Sequence, residues 1–417
     1  MTSIQKHTKM VPEINRSERL FRTELLDPTE RLLVECVRTD DTDVDLRVRL
    51  IDACRAAEWH RLVDQAAFHG VIGYAQEALS SLEEHVPGEV LNTLRQVRIA
   101  QIARIAMANR DVAIITSELT RLGIENILFK GPVLDEVVYQ RDNMRSFGDL
   151  DYFVRKEDIA RAIDAFTALG YSLVEDKADI FTGKGKIKNQ VHLAKEGSLP
   201  IDLHWKLINL PTHESSIAVD YDEIWRSAKM VEVGGTTIKT LSPEDTLIFQ
   251  CVHMTAHHDS NRLIWFKDVE QVVRRYGPGM DWDNFARRVS RYHLKTFVYY
   301  ALILTSEVCG LSEVPNATLA NLKPKYLTAR FFEQLARRNN ILEMQQLKRK
   351  PVLELWRIMR DDSGKRYVAI LRRALPKVDW YLEYYPVLPK IRHSELYYFI
   401  YPVLIALRLL KQPAKFD

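Results

Sequence analysis

The sequence predicts an α+β chain in which a compact block of strands, residues 123–210, is set between longer helical stretches. Three observations support this. Helical periodicity runs from Ser17 to about Leu122, with Leu32, Leu33, Cys36 and Val37 on one face and a long amphipathic segment from Gln101 to Leu119. Nearly all strand-like alternation then falls together. Beyond Ser242-Pro243 the helical pattern resumes.

Taken in order, residues 1–16 form a polar, loose tail without the apolar core of a signal peptide. Pro87-Gly88 punctuates the N-terminal helical region, residues 17–122. Gly123 ends its last helix, and Ile127-Leu-Phe129 makes a short buried strand. Lys130-Gly131 is then a strand-to-helix turn, with Pro132 suited to the first helical position. Glycine admits close approach of a ligand to the backbone, a helix N-terminus attracts anions, and Lys130 adds a full positive charge. An ordinary strand-turn-helix connection explains the same fragment.

Asp149-Leu-Asp-Tyr-Phe-Val154 alternates as a half-buried strand, with Leu150, Tyr152 and Val154 facing the core. Asp149 and Asp151 therefore share the other face. Two carboxylates at that spacing repel unless a cation lies between them, and a divalent ion with hard oxygen ligands fits. Paired Mg²⁺ ions are common machinery for displacement at phosphorus. A solvated strand end is the ordinary alternative for Asp-x-Asp. Just upstream, Arg145 offers a planar fork for phosphate oxygens, or a partner for Asp149.

A crossover helix, Lys156 to Leu169, leads to strands at Tyr171–Val174 and near Val191–Leu193, with the basic loop Lys184–Lys188 between them. Leu199-Pro-Ile-Asp-Leu-His-Trp205 alternates again, placing Ile201, Leu203 and Trp205 inward and Asp202 and His204 opposite. Asp202 is thus a third carboxylate for a metal triad. His204 is a candidate contact to phosphate or acceptor, against the commoner reading of a packed, hydrogen-bonded histidine. Further on, His253 and His257 are four apart, with His258, Asp259 and Asp268 nearby. Zinc needs three or four convergent ligands and no Glu completes the metalloprotease pattern, so a packed face or a pocket wall fits better.

At this point the ordered set resembles the uncharacterised bacterial nucleotidyltransferase family of the DNA polymerase β-like superfamily. The resemblance rests on strand-Lys-Gly-helix, Arg-x-x-x-Asp-Leu-Asp, a helix ending in Leu-Gly-Tyr at 169–171, and Ile-Asp-Leu-His-Trp. It also takes in Glu58-Trp59, Phe68-His-Gly-Val71, His253-x-x-x-His257 and Trp265-Phe-Lys-Asp268, covering roughly residues 55 to 275. It implies a small mixed sheet backed by helices, a nucleotidyltransferase core over 123–210, and transfer of a nucleotide from an NTP. Asp149 and Asp151 match the superfamily's two metal-binding carboxylates, and Asp202 matches the third. Lys130 and Gly131 occupy the place of the phosphate-holding turn. Two departures stand out: Pro132 replaces the small hydroxyl residue, and the interval from Gly131 to Asp149 is long.

The expected reaction uses two Mg²⁺ ions on Asp149, Asp151 and Asp202, with ATP as the foremost donor. Lys130 and Arg145 would offset charge on the departing pyrophosphate. A small-molecule or biosynthetic hydroxyl is the expected acceptor. The alternatives are a toxin-like enzyme that modifies tRNA, with RNA along the basic tail, and a non-catalytic nucleotide-binding protein.

Composition sets the frame. A chain of 417 residues with 46% hydrophobic residues buries a sizeable core and excludes a disordered protein. Cys36, Cys54, Cys251 and Cys309 lack Cys-x-x-Cys spacing, so a reduced, cytoplasmic setting is the default. Residues 211–322 are expected to form a helical domain, and 323–417 a basic helical region. The latter holds 20 Lys+Arg against 9 Asp+Glu, a balance of +11 in a chain of net charge +3. That asymmetry suggests an anionic partner. The uncharged run Leu396–Leu407, interrupted by Pro402, is too short for a bilayer span. It fits either a buried helix or peripheral contact with a membrane surface.

Overall fold

The computed structural model describes residues 19–38, 44–139, 141, 143–174, 189–208, 217–257 and 260–342. The expected tail at 1–16, the basic loop Lys184–Lys188, His258, Asp259 and the run Leu396–Leu407 lie outside the described residues.

Among the described residues, five α-helices precede the sheet: α1 (Pro28–Val37), α2 (Val44–Ala56), α3 (Trp59–His69), α4 (Ile72–Ser80) and α5 (Gly88–Arg121). Asp27 starts α1 by accepting the N–H groups of Thr29 and Glu30, while the Glu30 carboxylate accepts the N–H of Asp27. This reciprocal cap satisfies donors that the first helical turn leaves unpaired. In the long α5, Ala108, Val112, Ile115 and Leu119 recur at helical spacing and bury one stripe. That stripe packs on one face of the sheet, in a cluster with Leu128, Tyr152, Leu193 and Leu203.

The sheet runs β1 (Asn126–Phe129), β2 (Leu150–Val154), β5 (Ile201–His204), β4 (Gln190–Ala194), β3 (Ser172–Leu173). Among the described residues, β2 and β5 pair in parallel and the other neighbours of this sheet pair antiparallel, so the sheet is mixed. Parallel neighbours need a crossover. Here it comprises α6 (Ile159–Ala168), β3 and β4. The chain is thus α+β, as its patterning predicts.

Two features differ from expectation. The Asp-bearing strand is buried along its whole length instead of half-buried. Phe153, on the carboxylate face, stacks on Trp225 at 4.9 Å and 22°. Trp225 belongs to α7 (Tyr221–Ser227), so a helix covers that end of the face. The second difference is a hairpin, β6 (Lys229–Val233) with β7 (Thr236–Thr240), in a stretch read as helical. Gly234 and Gly235, with φ of +56° and +72°, supply the tight turn. A Cβ on Gly234 would lie 2.6 Å from the Asn109 Cβ, and its N–H bonds Glu136.

Helices then resume: α8 (Pro243–Val252), α9 (Leu263–Tyr276), α10 (Trp282–Arg291), α11 (Lys295–Cys309), α12 (Asn316–Leu322) and α13 (Tyr326–Arg338). Ser242 caps α8 through the Asp245 N–H, with Pro243 following. One hydrophobic core runs through α1 to α4, the carboxylate-bearing face of the sheet (Ile127, Phe129, Phe153) and α8 to α13. Among the described residues, no helix is long and apolar enough to cross a membrane.

Candidate active site

Strand register assembles the site. Parallel pairing sets Asp151 of β2 directly opposite Asp202 of β5, and Phe153 opposite His204. On the other side of β2, Phe129 pairs with Asp151, so Lys130, the next residue, emerges beside that carboxylate. Lys130 Nζ lies 2.7 Å from Asp151 Oδ1, and His204 Nε2 lies 3.1 Å from the same oxygen. The second oxygen, Oδ2, is buried and has no hydrogen-bond partner among the described residues. Ligand atoms of Asp151, Asp202 and His204 lie within 4.8 Å of one another.

The electrostatics are uneven. Burial by itself raises the Asp151 carboxyl, but the Lys130 charge and the His204 hydrogen bond outweigh it and hold the group at about 2. Asp149, half-buried just before β2, goes the other way. Burial, then the charges of Asp151 and Asp202, push it up to about 6 against the pull of Lys130. Burial also lowers His204, against the attraction of Asp151. A neutral His204 donating from Nε2 orients Asp151 instead of neutralising it. Among the described residues, the carboxylates of Asp149 and Asp151 thus share the pull of Lys130.

Lys130 itself is held in an unusual backbone conformation, φ +58° and ψ −149°. That region is close to glycine-only, and non-glycine residues kept there cost about 1–3 kcal/mol and cluster at functional sites. Its ammonium also lies 5.4 Å from the Phe129 ring centroid and 5.2 Å from that of Phe249 on α8. Gly131 follows, with a Cβ position only 3.4 Å from the Asp149 carbonyl oxygen. Pro132 sits in the short helical turn Gly131–Val133 that the Lys-Gly bend begins.

Arg145 has its fork engaged by a carboxylate outside the sheet, while its charge still pulls the Asp149 carboxyl down. It grips Asp268 of α9 through Nε at 2.8 Å and Nη2 at 3.0 Å, and both side chains are buried. His253 and His257 occupy a π-helical turn after α8, their rings 5.8 Å apart, with His253 also edge-on to Trp265. That is a packed aromatic wall.

The structure adds two residues to the carboxylate face. Register sets His192 of β4 opposite Asp202 and Gln190 opposite His204. His192 Nε2 lies 3.6 Å from Asp202 Oδ1, and Gln190 Nε2 3.5 Å from Asp202 Oδ2. The signal was present: in Gln190-Val-His-Leu-Ala194, Val191 and Leu193 are buried, which turns Gln190 and His192 to the opposite face.

The sequence profile of the uncharacterised nucleotidyltransferase family matches residues 55–310. The chain belongs to that family. The three carboxylates, the Lys-Gly turn and the whole sheet fall inside the matched span. Among solved structures, this nucleotidyltransferase is similar to lincosamide antibiotic adenylyltransferase LnuA bound to lincomycin. Identity is 14%, coverage 39% of this chain and 94% of that one, and the TM-score 0.28. An antigenic nucleotidyltransferase-like protein from Paracoccidioides brasiliensis is 14% identical over 46% of this chain and 91% of its own, with a TM-score of 0.27. No curated protein matches. Membership of the family supports nucleotidyl transfer as the general reaction class.

Proposed function

We propose that this nucleotidyltransferase moves an NMP from an NTP, ATP foremost, to a hydroxyl or similar acceptor on a small molecule or biosynthetic intermediate, with release of pyrophosphate. The observation that carries the proposal is the pairing of Asp151 with Asp202 across parallel strands, with one anionic oxygen of Asp151 buried and without a hydrogen-bond partner among the described residues. A buried carboxylate oxygen is costly to leave without a partner, and a divalent cation supplies one. Asp151 and Asp202, with Asp149 beside them, are hard oxygen donors that would hold magnesium ions. When bound, such ions neutralise phosphate charge and lower the pKa of an acceptor hydroxyl.

The protein's own groups have separate tasks. His204 keeps Asp151 oriented through its Nε2. Lys130 neutralises Asp151 before substrate arrives, and its ammonium is a positive charge for phosphates approaching the Gly131 turn. Asp202, only partly buried, would accept the proton of the incoming hydroxyl. The excess of Lys and Arg in residues 323–417 supports an anionic partner on charge alone.

The test is pyrophosphate release with Mg²⁺ and each NTP across an acceptor panel, comparing the native protein with Asp151→Ala and Asp202→Ala. Release by the native protein alone supports the proposal. Equal release by the variants would remove the triad from the chemistry. NTP binding without release from any acceptor would favour a binding protein, and release confined to RNA acceptors would favour the tRNA-modifying reading.

A further inference from the structure

The loop that delivers Asp149 is tied down from several directions. Gln101 and Arg104 of α5 donate to the carbonyls of Asn143 and Gly148, at 3.2 Å each. Ser146 Oγ donates to the Gly70 carbonyl at the end of α3, at 3.0 Å. The buried tie is Arg145. Its backbone N–H donates to Asp135 Oδ1 at 3.0 Å, and Asp135 lies in the π-helical turn that follows Lys130-Gly131. Its side chain forks onto both oxygens of Asp268, and the Tyr139 hydroxyl donates to Asp268 Oδ1 at 2.8 Å.

Asp268 is fully buried on α9, in sequence far from the sheet. A bidentate Arg–carboxylate pair fixes orientation as well as distance. Asp268 thus connects the helical region to Tyr139 directly and, through Arg145, to the segment that ends at Asp149, while the Arg145 N–H ties that segment to Asp135. A buried pair of this kind is weak evidence for stability, because desolvation offsets much of the attraction. Its geometric value lies in what it holds. Four residues after Arg145 comes the carboxylate that must sit beside Asp151.

We propose that Asp268 is a positioning residue: through Arg145 it sets the loop of residues 143–149 so that Asp149 joins Asp151 and Asp202 in one cation site. This inference rests on the nucleotidyl-transfer reading. Groups outside a metal's immediate ligands that orient those ligands typically change metal affinity by about 10–100-fold. Asp268→Asn keeps the shape and removes the charge that grips the fork. Arg145→Lys keeps the charge and removes the fork.

The experiment measures Mn²⁺ binding to the full chain by electron paramagnetic resonance, alongside kcat and the KM for NTP. Both variants are expected to weaken Mn²⁺ binding by roughly tenfold or more and to lower kcat, with a smaller change in KM. Should either single variant fail to fold, the pair Arg145→Met with Asp268→Leu replaces both partners by apolar groups, a change that is often near neutral for stability. It too should bind Mn²⁺ weakly. Native-like Mn²⁺ binding and turnover in a folded variant would overturn the positioning role. Absence of Mn²⁺ binding in the native protein would overturn the cation-site reading beneath it, a distinct result.

Discussion

Asp149→Asn should make the metal-free protein more stable while sharply lowering transfer. In the folded chain the Asp149 carboxyl is raised from its ordinary 3.8 to about 6, by burial first and then by Asp151 and Asp202. A raised carboxyl binds its proton more tightly folded than unfolded. Its presence therefore becomes progressively destabilising as pH rises from about 4 to 6, and the full penalty applies above that. About two pH units at roughly 1.4 kcal/mol each give about 3 kcal/mol, and partial solvent contact reduces this to about 2 kcal/mol. Asparagine keeps the shape and carries no charge, so the gain should appear at pH 8 and vanish near pH 4. Urea unfolding in EDTA at both pH values measures it. Adding Mg²⁺ should then stabilise the native protein more than the variant, because one ligand is missing. Turnover should fall by roughly a hundred- to a thousandfold, as losing a principal electrostatic contributor does. Lower stability of the variant at pH 8 in EDTA would refute the charge argument. Native turnover would refute the assignment of Asp149.

Further expectations concern other parts of the chain. Lys130→Ala leaves buried Asp151 without its ammonium, so a loss of about 3–5 kcal/mol is expected in urea titrations. Transfer by that variant should show a raised KM for NTP, and an unchanged NTP dependence would make Lys130 purely structural. Leu203→Ala, which empties a fully buried position of β5 beneath the site, should cost about 2–5 kcal/mol by the same titration. Glu307, whose carboxylate accepts the N–H groups of Leu20 and Phe21, is pushed by burial from 4.5 up to about 7 despite those bonds. The folded state again holds the proton more tightly, so native stability should drop by about 3 kcal/mol between pH 4.5 and 7 from this group. Glu307→Gln should flatten that part of the pH profile, and a native-like slope in the variant would contradict it.

The sequence revealed what local periodicity controls. Alternation in Asp149–Val154 and Ile201–Trp205 identified two strands and the faces of Asp151, Asp202 and His204, because a period of two leaves little freedom once one face is apolar. Lys130-Gly131 was legible as a strand-to-helix turn for the same local reason. The β6–β7 hairpin was not: it lies beside helices, and Met230 is exposed, so its alternation is only partly hydrophobic. Full burial of β2 was hidden because it depends on Trp225, some 70 positions further along the chain. Arg145 is the most instructive case. An arginine four residues before a catalytic-looking carboxylate invites a phosphate role, yet its partner Asp268 lies 123 positions away. Nothing in the local pattern could reveal that the fork was already engaged. A site built on strands exposes its ligands to sequence reasoning, while the groups that aim those ligands are recruited from helices that only the tertiary fold brings near. The test of Asp268 therefore bears on more than one residue. Mn²⁺ affinity that falls when a buried, distant pair is broken would mean that the helical region is part of the catalytic apparatus, and that the sheet alone would carry the carboxylates without holding them in register.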